Sequence, residues 1–211
     1  RSMRYLPLLI CFVLSYSLSS CEKEPSSEPI DPETMDKVWM KLHMPDQQRG
    51  FSAIYGNIDD TLVVATMYKI YLTTDQGKSW QLVMDAKQGI SGFAMVEDEL
   101  VALGAFTFAE ESAQMALLHS ADHGKTWTDH GKFDYNVYDA LHVARKRVEL
   151  AEDHYYRIAP GAALVDQETG QELARPDEIR RLRDGFEGPV YFPTGRRMNY
   201  LYLDDNERLY V

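Results

Sequence analysis

Cysteine is almost absent from this 211-residue chain. There are two, Cys11 and Cys21, and the first lies in an apolar leader that export would remove, so the mature chain can form no internal disulfide. The exported part must be held by its core alone, and residues 36 to 211 are enough to bury one. The chain also lacks a Cys-x-x-Cys pair, a phosphate-binding glycine loop and a Gly-x-Ser-x-Gly elbow, the short motifs that would mark redox, nucleotide or serine-hydrolase chemistry. Positive charge is in deficit too: 22 Lys and Arg stand against 33 Asp and Glu, for a formal net charge of −11. Such a chain makes a poor partner for nucleic acid.

The ends of the chain are compositionally distinct. Arg1 and Arg4 flank the start of an apolar run, YLPLLICFVLSYSL, from Tyr5 to Leu18. This is the charged and hydrophobic layout of a secretory signal over residues 1–20, too short for a membrane span. Arg1-Ser2 ahead of Met3 reads as upstream sequence. The leader stops at Leu18-Ser19-Ser20-Cys21, which resembles the lipobox of bacterial lipoproteins, cleaved just before a cysteine that carries the lipid. That resemblance implies lipidation at Cys21 and a tether to the outer membrane or cell surface, with no other contact to the membrane. An ordinary signal peptide with an incidental cysteine is the plainer alternative. Residues 21–35 include EKEPSSEPIDPE, from Glu22 to Glu33, whose Pro, Ser and Glu content predicts a solvated linker. Acidic residues directly after the cysteine also resemble the surface-export signals of Bacteroidetes lipoproteins. Loss of the leader removes two Arg and no acid, leaving 20 basic against 33 acidic residues, or −13.

Two internal stretches are nearly the same. TTDQGKSWQLV (Thr73 to Val83) and HSADHGKTWTDH (His119 to His130) share the frame Ser/Thr-x-Asp-x-Gly-Lys-Ser/Thr-Trp. Thr73 matches Ser120, Asp75 matches Asp122, Gly77 matches Gly124 and Trp80 matches Trp127, each pair 47 positions apart (122 less 75). A period of about 40–50 residues, rich in short strands, marks the four-stranded blades of a propeller. KIYLTT and MALLHS read as half-buried strands, the Asp-x-Gly core as a turn, and SWQLV and TWTDH as the start of a returning strand, so each octet is a predicted hairpin. The aspartate can accept hydrogen bonds from turn amides, and the glycine permits positive φ. The tryptophan offers a large apolar wedge for the seam between blades and an indole N–H for a carbonyl. Every blade poses the same packing problem, so the octet is expected to be structural rather than catalytic.

The octet resembles the Asp-box, or BNR, repeat of sialidase-like β-propellers. That implies an all-β fold of four-stranded antiparallel blades and identifies no activity. Four further stretches fit an A–B hairpin in each blade: NIDDTLVVAT (Asn57 to Thr66), MVEDELVALG (Met95 to Gly104), HVARKRVELA (His142 to Ala151) and YLDDNERLYV (Tyr202 to Val211). About four blades are therefore expected over residues 36–211. In the third, ALVDQETGQELA is a degenerate outer hairpin that turns at Asp166 to Gly170 without tryptophan or box spacing. DKVWMKL (Asp36 to Leu42) aligns Trp39 with Trp80 and Trp127 as an outer strand whose partners should lie near the C-terminus. Because the chain stops straight after a B strand, the expectation is a propeller truncated at its C-terminus, with a compact four-bladed ring as the alternative.

Candidate chemistry is sparse. Sialidases of this fold use an Arg-Ile-Pro motif before the first box; the nearest match here, YYRIAP at Arg157, has an inserted alanine and falls after the second box, so the role is not carried over. RPDEIRRLRDGF predicts a short capped helix, with Pro176 at its start, Asp177 and Glu178 in the first turn, Gly185 as stop and Ile179, Leu182 and Phe186 as its buried stripe. Its arginines would then complement the helix dipole; alternatively Arg180, Arg181, Arg196 or Arg197 lines an anion or glycan site, since guanidinium takes carboxylates in a bidentate way. His119 and His123 bracket a turn and should point apart, which argues against a metal site. Carboxylates at Glu110, Glu111, Asp134 and Asp139 could serve a glycosidase, and Tyr135, Tyr138, Tyr155 and Tyr156 could stack on sugars, although aromatics at strand period more often pack a core.

Neither a cofactor nor a metal is expected. The residues favour a lipid-anchored exported propeller that binds a protein or a glycan at the cell envelope. A sialidase-like glycoside hydrolase, with its catalytic residues partly outside this sequence, is the alternative, and an envelope assembly or scaffold factor is a third.

Overall fold

A computed structural model describes residues 39–45, 50–107, 111–129, 141–161, 163–173, 175–193, 195 and 197–211. The leader, Cys21 and the linker lie outside them. Every regular element among the described residues is a strand, and every pairing is antiparallel. The first sheet runs in chain order through β1 (Ala53–Gly56), β2 (Leu62–Ala65), β3 (Lys69–Thr73) and β4 (Gln81–Asp85). The second holds β5 (Gly92–Val96), β6 (Glu99–Thr107), β7 (Ser112–Ser120) and β8 (Thr128–Asp129), with β9 (Val143–Ala144) also on β7. In the third, β10 (Arg147–Ala151) and β11 (His154–Ala159) are followed by β14 (Glu178–Arg183) and β15 (Phe186–Val190). Two ribbons complete the set: β12 (Leu164–Val165) with β13 (Glu172–Leu173), and β16 (Tyr202–Leu203) with β17 (Leu209–Tyr210). No sheet closes into a barrel.

The strand residues explain the layering. β2 is buried at all four positions, and a strand apolar on both faces needs cover on both. The main core supplies it by joining the first sheet to Phe93, Leu100, Leu118 and Trp127 of the second and to Tyr200 near the C-terminus. β1 and β5, the first strand of each sheet, lie near one another. A smaller core unites Ile158 and Ile179 of the third sheet with Met198 and Leu201, and Trp39 packs on it.

Edge strands carry unpaired N–H groups, and here tyrosines close the edge of β1. Tyr202 Oη accepts from Gly56 N at 3.0 Å and Tyr210 Oη accepts from Ile58 N at 3.1 Å. Tyr200 Oη, deeper still, accepts from Ile54 on β1 and from Phe93 on β5. Residues 54 and 56 point their amides the same way because strand geometry alternates, and Ile58 lies in the turn just beyond β1. Three phenols thus cap an edge that would otherwise invite pairing. Tyr210 also donates to the buried Asp204, whose other oxygen accepts from Asn206 N and Arg208 N, and this turn fixes the β16–β17 ribbon.

Three sequence expectations are corrected. The helix expected from Pro176 is β14 and β15: Asp184 and Gly185 both adopt positive φ, 53° and 77°, in a two-residue turn that opposes Arg183 to Phe186. Asp-Gly is the preferred chemistry for such a turn, and pairing with β11 overrides the helix signals around it. Ile179 is buried, but Phe186 is 77% exposed, so the expected apolar stripe does not form. HVARKRVELA is likewise not one hairpin, because β9 pairs with β7 and β10 with β11; the chain crosses here from one sheet to the next. Finally, Trp39 to Leu42 forms no strand. Trp39 instead donates Nε1–H to Tyr191 O at 2.9 Å and meets the edge of Phe192, with ring centroids 4.9 Å apart. The hairpin at 163–174 does form, as β12–β13, but it stands off the third sheet rather than completing it.

Candidate functional site

The two octets fold into the same turn, with the same bonds around each aspartate. In the first, Thr73 Oγ1 donates to Asp75 Oδ1 at 2.8 Å and accepts from Gly77 N at 3.0 Å. In the second, Ser120 Oγ donates to Asp122 Oδ1 at 2.8 Å and accepts from Gly124 N at 2.7 Å. Ser79 gives its N–H to Asp75 Oδ1 (2.9 Å) and its hydroxyl to Oδ2 (2.6 Å), and Thr126 does the same to Asp122 at 2.8 and 2.6 Å. The turn needs two successive residues at positive φ: Gln76 and Gly77 at 62° and 78°, and His123 and Gly124 at 56° and 90°. Each carboxylate accepts three hydrogen bonds from its own hairpin.

The tryptophans differ. Trp127 is buried, stacks on Phe93 at 5.6 Å and donates to Gly124 O at 3.0 Å, while Gly124 itself abuts Val63 of the first sheet. It fills the seam between two sheets. Trp80 is half-buried beside Gly77, and its Nε1 is shielded with no acceptor among the described residues. The expected carbonyl is found only by Trp127. Their neighbours differ as well: the first octet leans on Leu42, in a stretch without a strand, whereas the second leans on Val63 of the first sheet.

Hydrogen bonding holds both octet carboxyls well below their ordinary 3.8. Asp75 is lowered to about 2, first by the Ser79 hydroxyl and then by the Ser79 amide; Asp122 is lowered to about 2, first by the Thr126 hydroxyl and then by its amide. A carboxyl lowered in the folded state adds stability above its unfolded pKa and gives it up as pH falls towards the folded value. Urea midpoints should therefore be flat from pH 7 to 5 and fall between about pH 4 and 2. An Asp75→Asn/Asp122→Asn double variant should have a shallower fall, with the remainder due to Asp59, Asp166 and Glu187, which are also lowered. An unchanged slope in the double variant would show that these bonds do not matter to stability.

A concave feature among the described residues lies elsewhere. A cleft of about 480 Å³ is lined by Gly50, Phe51 and Ser52 ahead of β1, Met67 between β2 and β3, Ile90 and Ser91 ahead of β5, Arg145 ahead of β10, and Asn199 ahead of β16. The lead-in segments of all three large sheets and of the C-terminal ribbon meet there. Arg145 is held at both ends of its backbone, donating from N to Glu111 O at 3.0 Å and accepting at O from Leu201 N at 2.7 Å. Its guanidinium lies over Phe106 at 4.5 Å and near Tyr200 at 5.9 Å. Burial lowers its pKa, as expected when a cation loses water.

No family model matches this chain, and no curated protein matches its sequence. The site must therefore be judged by its residues. Of the arginines singled out from sequence, Arg180 shares Glu187 with Arg157: Arg157 Nε reaches Glu187 Oε1 at 2.7 Å and Arg180 Nε reaches it at 3.2 Å. Arg181, next along β14, projects to the opposite face, and Arg197 is exposed in the segment before β16. Arg180 and Arg181 therefore do not converge. Arg196, Glu110, Asp134, Asp139, Tyr135 and Tyr138 lie outside the described residues. Tyr155 lies under Arg147, 3.9 Å from the guanidinium carbon, and Tyr156 packs on the third-sheet core. His119 is buried against Glu99 at 3.3 Å while His123 sits in the octet turn, and no group of three or more potential metal ligands occurs among the described residues.

Sequence reading passed over Arg145. It stands in Arg145-Lys146-Arg147, where composition treats the three alike. Lys146 pairs with Glu111 at 2.7 Å and Arg147 with Glu149 at 2.7 Å. Only the fold separates Arg145, which has no ion pair among the described residues, from its neighbours.

Proposed function

We propose that the chain is an exported β-propeller of the Asp-box type, lipid-anchored through Cys21, that binds a protein or glycan at the cell envelope. One observation carries the binding role: the lead-in segments of four β units converge on one open cleft, the usual position of a site assembled from many loops on a rigid scaffold. Sheets whose strands pair in chain order, and a turn repeated with the same aspartate bonds at a blade-like period, support the propeller reading. Binding is favoured over glycoside hydrolysis because no carboxylate lines the cleft among the described residues, and a glycosidase needs two about 5–10 Å apart.

The test is to screen the purified full chain on a glycan array and against envelope proteins, with sialosides as substrates in parallel. Capture of a ligand without turnover is expected; hydrolysis of any glycoside would overturn the binding-only role. The anchor is tested separately. A Cys21→Ala chain should leave the membrane fraction, and its retention there would remove lipidation from the proposal.

A further inference from the structure

Arg145 is electrostatically out of place. Arg147, Arg157, Arg180, Arg183 and Arg208 each face a carboxylate, and Arg175, Arg181 and Arg197 are exposed to water. Arg145 has neither. It is half-buried, makes no ion pair among the described residues, and its Nε is shielded from solvent without an acceptor. A partly desolvated cation without a counter-ion is costly, and the cost falls when an anion arrives.

The cleft around it indicates which anion. Phe106 and Tyr200 flank the guanidinium, so hydrogen bonds can form only at its edge. One cation without an ion pair among the described residues, in a chain of net charge −11, suits one negative charge and repels polyanions such as phosphorylated chains. Among the described residues, the other lining groups are either apolar (Phe51, Met67 and Ile90) or small and neutral (Gly50, Ser52, Ser91 and Asn199). On the binding-module reading above, we propose that this cleft receives a carboxylate carried on an apolar body, with Arg145 gripping the carboxylate and Phe51, Met67 and Ile90 covering the body. The free C-terminus of a peptide ending in apolar residues and a small aromatic acid offer this chemistry equally, and a cleft of about 480 Å³ has room for either.

Calorimetric titration of the full chain tests this with acetyl-Ala-Leu-Phe as free acid and as C-terminal amide, 4-phenylbutyrate with its amide, and N-acetylneuraminate as a carboxylate on a polar body. At least one apolar acid should bind about tenfold or more tightly than its amide, with N-acetylneuraminate weaker; whether the peptide or the small acid binds better identifies the source. Arg145→Gln should abolish the preference for acid over amide, and Arg145→Lys should restore part of it. Met67→Asp, at a rim residue that is 42% exposed, should weaken acid binding independently by placing a carboxylate near the guanidinium. Equal binding of acid and amide, acid binding untouched by both Arg145→Gln and Met67→Asp, or a preference for N-acetylneuraminate would each overturn the proposal. A wild-type chain that captures an envelope protein or glycan yet ignores both apolar acids would also overturn it, while leaving the binding-module reading intact.

Discussion

Replacing Tyr200 by Phe is expected to lower the unfolding free energy by about 2–4 kcal/mol, although it deletes one oxygen and keeps the ring. The side chain is 3% exposed, and its hydroxyl accepts from the amides of Ile54 and Phe93 on two different sheets. Without it, two donors are left in a site that water does not reach. Each unsatisfied buried donor costs about 1–3 kcal/mol, more than the net worth of the bond that was lost. Burial itself pushes this phenol up to about 12, so the oxygen is a neutral acceptor throughout the usable pH range. Tyr202→Phe removes the cap from one amide, at Gly56, and should cost about half as much. Urea unfolding followed by tryptophan fluorescence measures both, and similar m-values would show that the comparison is between like states. If Tyr200→Phe proved no more damaging than Tyr202→Phe, the bridging role of Tyr200 between β1 and β5 would be wrong.

Gly124→Ala should be the more damaging of two substitutions that look identical in sequence. Gly77 and Gly124 hold the same octet position, and both adopt positive φ, at 78° and 90°. The shared backbone strain for alanine is about 1–2 kcal/mol. The surroundings then separate them. A Cβ on Gly124 would lie 2.6 Å from Val63 Cγ2, and Val63 is fully buried on β2. A stiff β-branched side chain inside a packed core cannot move aside, which adds about 1–3 kcal/mol of overpacking. A Cβ on Gly77 would meet Leu42 Cδ2 at 2.9 Å, the far end of a flexible side chain that can rotate. We therefore expect a loss of about 3 kcal/mol or more for Gly124→Ala and about 1–2 kcal/mol for Gly77→Ala. Thermal and urea unfolding of the two variants side by side decide the point. Equal losses would mean that the octets sit in equivalent packing.

What could be read in advance follows the range of the interaction. The octet closes its hydrogen bonds within a handful of residues, so residue types at fixed offsets are sufficient to predict the hairpins around Asp75 and Asp122. Short alternating strands and turn residues likewise point to an all-β chain. The stretch from Pro176 to Gly185 misleads for the complementary reason: its local signals suit a capped helix, and a partner strand nearly twenty residues earlier decides otherwise. Asp184-Gly185 was the available clue, outweighed by the basic residues before it. The crossing of the chain between β9 and β10 had no local mark, because each strand pairs with a segment distant in sequence.

The candidate site belongs wholly to this second class. Phe51, Met67, Ile90, Arg145 and Asn199 are separated by tens of residues and share no motif; each is ordinary in its own stretch. By itself the amino-acid sequence determined the strand-rich class and the two hydrogen-bonded octet turns, since composition and contacts between near neighbours suffice for these. The tertiary structure alone decided that β14 is a strand, that tyrosines from the C-terminal segment cap β1, and that Arg145 is half-buried with no counter-ion among the described residues. Each of these depends on which distant groups exclude water from one another, and burial of that kind arises only when the sheets pack together.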